Sequence, residues 1–151
     1  MRSITATVIV EGPGIEAEQL WHDRSRWASW IDGFGGLSKL EGEWPLAGAR
    51  RVWTMRVGSP TASRGLIAER VSSYAAGDGQ VLTFEDERVT GVQRVRFETD
   101  GVRTRISVTM ELATKTSLAP ARKWWLRRQL RGALNRSLAR FSYELAAERD
   151  R

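Results

Sequence analysis

Two hydrophobic periods divide this chain. Leu126, Leu130, Ala133, Leu134, Ser137, Leu138, Phe141 and Leu145 recur at spacings of three and four. At about 100° per residue they fall on one stripe, so the pattern predicts an amphipathic helix from Ala119 to Glu148. That helix is roughly 45 Å long at 1.5 Å per residue. Most of what precedes it alternates. Ile4–Val10 reads as a strand, ended by Glu11-Gly12-Pro13-Gly14. Ile15–Trp21 is a short helix, and Asp23 can cap a second one that carries Trp27 and Trp30 on one face. Gly33, Gly35 and Gly36 are expected to end it.

From Leu37 to Ala113 the period is two. Leu37–Glu41 is a strand, then Ala49–Val57, with Trp53, Met55 and Val57 on one face. Gly65–Tyr74 places Ile67, Glu69 and Val71 together, and Gln80–Glu87 does the same for Leu82, Phe84 and Asp86. In Val92–Thr99, Gln93, Val95 and Phe97 share a face. Asp100-Gly101 is the clearest hairpin turn. Beyond it Val102, Thr104, Ile106, Val108, Met110 and Leu112 form an apolar face opposite Arg103, Arg105 and Glu111. The order is strand, two short helices, six strands, long helix. This is an α+β domain, β-α-α-β6-α, in which a curved antiparallel sheet wraps a long C-terminal helix. A cavity between the two layers is the expected working site.

Three polar side chains fall in otherwise apolar faces. Glu69, Asp86 and Gln93 are expected to project toward the pocket, where a desolvated carboxylate is suited to proton transfer. Glu69 and Asp86 are therefore the catalytic candidates, against the plainer alternative of a salt bridge with an arginine. Trp27, Trp30, Trp53, Phe84 and Phe97 offer flat walls. Met55, Ile67, Val95, Ile106, Val108 and Met110 would complete the sheet side of a ligand site, and Leu126, Leu130 and Leu134 the helix side. His22, the sole histidine, reads as a solvated surface residue.

The 151 residues suit a single domain, 1–151, with an ordinary balance of 41% hydrophobic and 28% charged positions. With no cysteine and one histidine, disulfides, thiol nucleophiles and a zinc site are set aside. No Gly-x-Ser-x-Gly elbow or phosphate-binding glycine run occurs, so no cofactor is expected. The N-terminus lacks the layout of a secretory signal, and a cytoplasmic location is the expectation. The net charge of +6 is local: residues 1–117 hold 15 basic and 15 acidic side chains, residues 118–151 hold 9 and 3. Arg122, Lys123, Arg127, Arg128, Arg131, Arg136 and Arg140 follow one another with no acid between them. The first five form a basic patch beside Trp124 and Trp125, suited to weak contact with an anionic membrane. Nucleic acid is not an expected partner, because the charges scatter round the helix. The chain is expected to be a monomer or homodimer.

Leu20-Trp21-His22-Asp23 followed by Trp27-Ala28-Ser29-Trp30 resembles the opening of the SRPBCC superfamily. That superfamily includes START lipid-transfer domains, the birch-pollen-allergen fold and polyketide cyclase/dehydrase proteins. Trp44-Pro45 with Gly48 and Trp53, Gly65 with Glu69-Arg70-Val71, and Glu85-Asp86-Glu87 with Gly91 and Gln93 extend the resemblance. So do Arg127-Arg128 with Leu134, Leu138, Arg140 and Phe141, and together these are similar to an uncharacterised actinobacterial group. The resemblance implies the helix-grip fold and a hydrophobic ligand, lipid-like or polyketide-like. A cyclase or dehydratase using a pocket carboxylate is the alternative, and contact through the basic helix a third. Fold likeness alone licenses no reaction.

Overall fold

The computed structural model describes residues 3–59 and 65–150. Strand β1 (Ser3–Glu11) leads into α1 (Gly14–His22), a 3₁₀ turn at Arg24–Arg26 and the single turn α2 (Trp27–Trp30). Six strands follow: β2 (Phe34–Glu41), β3 (Arg50–Met55), β4 (Leu66–Ala75), β5 (Gly79–Glu85), β6 (Val89–Asp100) and β7 (Arg103–Thr114). Helix α3 (Pro120–Arg149) closes the chain. The strands form one antiparallel sheet in the order β1-β7-β6-β5-β4-β3-β2. This is the β-α-α-β6-α helix-grip arrangement that the alternation and the terminal stripe predict.

The inner face is what the period of two selects. Ile4, Ile67, Leu82, Val95, Phe97, Ile106 and Val108 are buried there, against Leu130, Leu138, Phe141 and Leu145 of α3. Gly101, with φ 62°, makes the tight β6–β7 turn that Asp100-Gly101 signals. Three boundaries differ from the sequence reading. Gly35 and Gly36 do not end a helix but lie in β2, where a Cβ on Gly35 would meet the β3 backbone at 2.9 Å. Strand β3 stops at Met55, so Val57 is exposed in a turn. Val102 is likewise exposed in the hairpin turn rather than on the inner face.

Helix α3 is held unevenly along its length. Toward its C-terminal end, Arg26 pairs with Glu144 at 2.6 Å and Glu148 at 2.8 Å, and Arg149 pairs with Glu16 at 2.9 Å. At its middle, the buried Asp32 accepts from Arg136 and Arg140, and Ser137 accepts from the Asp32 backbone N–H at 2.8 Å. Across residues 119–125 every side chain is exposed. Leu126 and Leu130 anchor that end, with one bond from Arg127 to the Ser3 carbonyl at 3.0 Å.

Phe141 is fully buried and packs edge-on against Trp21 and Trp30, both at 5.1 Å. Phe141→Ala is expected to cost about 3–5 kcal/mol, read from the shift in urea midpoint. A loss below about 1 kcal/mol would show that α3 does not depend on this contact.

Candidate functional site

The inner face of the sheet carries one polar rung. Register pairs Arg51 with Glu69, Glu69 with Phe84, Phe84 with Gly91 and Gly91 with Leu112. Arg51 and Glu69 are both buried, with 7% of each side chain accessible. Arg51 Nε donates to Glu69 Oε1 at 2.8 Å, and Trp53 Nε1 donates to the same oxygen at 2.6 Å. Both bonds fall on Oε1, which leaves Oε2 without a hydrogen bond among the described residues. The guanidinium lies 4.4 Å from the Trp27 ring and 4.3 Å from the Trp44 ring. The two rings, inclined at 76° with centroids 5.6 Å apart, form an aromatic corner that stabilises a cation shielded from water. Gly91 is required by the same rung, because a Cβ there would meet the Phe84 ring at 2.8 Å.

A cavity of about 90 Å³ lies between this rung and α3. Arg51, Trp53, Ile67, Glu69, Phe84, Gln93 and Met110 line it from the sheet. Leu130, Ala133, Leu134 and Ser137 line it from α3, and Trp21, Trp30, Ile31 and Asp32 from the connecting segment. Drug-sized ligand sites run from about 300 Å³ upward, so the inner space is small. Tryptophans fill much of it: Trp21 lies 4.4 Å from Trp30, and Trp53 stacks on Phe34 at 5.1 Å. Trp30 Nε1 is buried without a partner among the described residues.

A second, open space of about 600 Å³ lies where α3 begins. Val89, Leu112, Ala113, Thr114, Pro120, Lys123, Trp124, Leu126 and Arg127 surround it. Leu112 follows Met110 on the inner face of β7, and Leu126 precedes Leu130 by one turn of α3. The groove and the cavity are thus separate spaces that follow one another along the seam between α3 and β7, the larger at the start of α3 and the smaller at Glu69.

A family model described as polyketide cyclase/dehydrase and lipid transport matches residues 1–146. The chain belongs to that family. Solved structures similar to it include a START superfamily protein from Mycobacterium smegmatis at 11% identity and TM-score 0.74, covering 96% of this chain and 97% of that one. A Thermus thermophilus protein reaches TM-score 0.76 at 13% identity, covering 97% and 99%. DynU16, from the dynemicin biosynthetic locus, reaches TM-score 0.66 at 17% identity, and the match covers 95% of this chain but 47% of DynU16. At these identities the likeness is one of fold. No curated protein matches. A polyketide cyclase/dehydrase and lipid transport protein of this fold has, in general terms, a role in binding hydrophobic ligands.

The sequence-selected residues divide on this geometry. Trp30, Trp53, Ile67, Glu69, Phe84, Gln93, Met110, Leu130 and Leu134 line the cavity, and Leu126 lines the outer groove. Trp27, Met55, Val95, Phe97, Ile106 and Val108 are buried in the core and line neither space. Asp86 lines neither space. Its Oδ1 accepts from the backbone N–H of Arg88 at 2.8 Å and of Val89 at 2.9 Å, capping the β5–β6 turn. Alternation carries Asp86 inward, but the strand ends at Glu85 and the carboxylate serves the turn. Among the described residues no His, Cys, Asp and Glu cluster could hold a metal ion.

His22 is not a solvated surface residue. Both ring nitrogens are buried without partners among the described residues, the ring stands edge-on to Tyr74 at 5.7 Å, and burial, then the Arg51 charge, lowers its pKa to about 3. Beside it, Glu18 accepts from the Tyr74 hydroxyl and from Gly77 N at 2.7 Å, fixing α1 to the β4–β5 turn. Burial and the Glu18 bond push Tyr74 up to about 12. Sequence reading passed over Arg51, although it lies two residues before Trp53 and therefore on the same face.

These buried groups set two expectations for denaturation. Glu69→Gln keeps an acceptor for Trp53 but strands the Arg51 cation, and is expected to lose about 3 kcal/mol. Adding Arg51→Met should restore more than half of that loss in urea denaturation. Additive losses would show that the pair is not coupled. For His22, the unfolded chain binds a proton below pH 6.5 that the folded chain refuses until about pH 3. Its contribution is complete above pH 6.5 and is lost as pH falls through that window, at up to about 1.4 kcal/mol per pH unit. His22→Leu should therefore gain stability relative to wild type as pH drops from 7 toward 4 (about three pH units, within the span of this linkage). A constant difference between the two urea midpoints would contradict the burial of His22.

Proposed function

We propose that the chain binds a small hydrophobic molecule in the seam between α3 and the inner face of the sheet. The observation that carries this reading is that the 600 Å³ groove and the 90 Å³ cavity lie one after the other along the same two elements. Both are bordered by successive residues of the same two elements, Met110 and Leu112 on β7 and Leu126 and Leu130 on α3. From Glu69 to Leu112 the rung crosses three inter-strand spacings, about 14 Å at roughly 4.8 Å each. A guest of that length would lay its apolar body over Gly91 and Leu112. Its polar end would meet Glu69 Oε2 and Gln93. Lipid-like and polyketide-like molecules with one polar end fit this description.

Entry requires the inner end of the seam to widen. The first turns of α3 are suited to that, because residues 119–125 are exposed and the ion pairs of α3 begin at Arg136. Gly132 adjoins the cavity-lining Ala133, and a glycine inside a helix weakens it by about 1 kcal/mol relative to alanine.

A catalytic reading has less support. Asp86 belongs to a turn, Asp32 is held by two arginines, and Glu69 is left as the cavity carboxylate not tied to α3. Binding by shape and burial is therefore the stronger reading.

Titration with a neutral fluorescent probe such as N-phenyl-1-naphthylamine tests the proposal. Saturable binding is expected in the wild type. Leu112→Trp, which fills the groove, should weaken it at least about tenfold, a change of roughly 1.4 kcal/mol, while the far-UV circular dichroism stays that of the folded wild type. Absence of binding, or equal affinity in the variant, would remove the seam as the ligand site.

A further inference from the structure

The basic residues of α3 form two populations that composition alone does not separate. Arg136 and Arg140 share one carboxylate, that of the buried Asp32. Arg122, Lys123, Arg127, Arg128 and Arg131 form no ion pair with any described residue, and all lie in the first three turns of α3. Trp124 and Trp125 stand among them, 59% and 56% exposed. The Arg128 guanidinium lies 5.4 Å from the Trp124 ring. Nearby carboxylates do not cancel the patch: Glu85 is paired with Lys115 at 2.7 Å, and Glu87 borders it at one edge, beside Arg122 and Trp125.

This arrangement opposes the helix that carries it. The N-terminal end of a helix is its positive pole, where acids stabilise and cations repel. Helix α3 has no acidic residue in its first turn and no side-chain cap. Two exposed indoles on the same turns add surface that water solvates poorly. Anionic lipid supplies what is missing: negative charge for the cations, and an interfacial zone in which tryptophan rings are favoured.

We infer that the first three turns of α3 dock the protein on anionic lipid membranes, with Trp124 and Trp125 inserted at the headgroup level. The inference deepens the hydrophobic-ligand reading, on which it rests for its purpose. Trp124, Lys123 and Arg127 also border the open groove, so a docked molecule presents the mouth of its seam to the bilayer. A guest could then pass from lipid to protein without crossing water. No helix of the described residues is long and apolar enough to span a membrane, so the contact is peripheral.

The test is co-sedimentation of the full chain with phosphatidylcholine vesicles, pure or containing about 30% phosphatidylserine. Binding is expected to the anionic vesicles alone and should fall steeply at about 0.5 M NaCl. Arg122→Glu, Arg128→Glu and Arg131→Glu, none of which borders the groove, together remove three exposed cations, each worth about fivefold, so affinity should drop about a hundredfold or more. Trp124→Ala with Trp125→Ala should weaken binding at least about fivefold, by the loss of interfacial anchoring. Equal sedimentation with both vesicle types, salt-independent binding, or indifference to the tryptophan pair would overturn the inference. So would capture of duplex DNA with no vesicle binding. The two readings fail separately: the charge-reversed variant should bind the neutral probe as wild type does, and Leu112→Trp should lose the probe while still sedimenting.

Discussion

The apolar stripe of α3 and the inner face of the sheet can be buried only against each other. The whole molecule is arranged around that mutual requirement. Trp21 and Trp30 of the connecting segment complete that contact, packing on Phe141 of α3 and, through Trp21, on Phe97 of the sheet. The contact is not uniform. From Arg136 onward α3 is fixed by ion pairs as well as by Leu138, Phe141 and Leu145. Before Arg136 it rests on Leu126 and Leu130. A closed end and a loosely held end are the two properties a binding seam needs, and one helix supplies both.

The polar rung is placed where that seam is tightest. Arg51 and Glu69 are taken out of water, which is costly for each charge alone. They are retained by mutual pairing, by Trp53 and by the Trp27 and Trp44 faces. Glu18 and His22 lie on α1 beside Tyr74, with His22 near enough to Arg51 to feel its charge. Their buried state ties the connecting segment to the β4–β5 turn and puts no reactive group in the cavity. The chemistry available at the inner end of the seam is therefore recognition of a polar group, within apolar walls.

Much of the fold was legible in residue order. Alternation located the strands because one face of each is buried, and the spacing of Leu126 to Leu145 located the helix. The departures have local causes. Strand-end residues such as Val57, Asp86 and Val102 follow the alternation formally, but the chain has already turned. The site was legible in part. Glu69, Gln93 and Met110 share an inward face that periodicity reveals. Arg51 did not stand out, because an arginine in an alternating strand looks solvated until its partner is known. The burial of His22 depends on α1 packing beside Tyr74 and Arg51, which local sequence does not encode. Cavity size was the least legible property, since the same tryptophans can wall a space or fill it. Here they fill most of it.

The central claim is that a guest enters between α3 and β7 at the start of the helix. A crystal structure of the protein with a bromine-bearing apolar molecule, phased on the bromine signal, tests it most directly. The account predicts an anomalous peak bounded by Leu112, Leu126 and Met110, with the first turns of α3 displaced outward. A peak confined to another surface, with the 90 Å³ cavity unchanged, would contradict it.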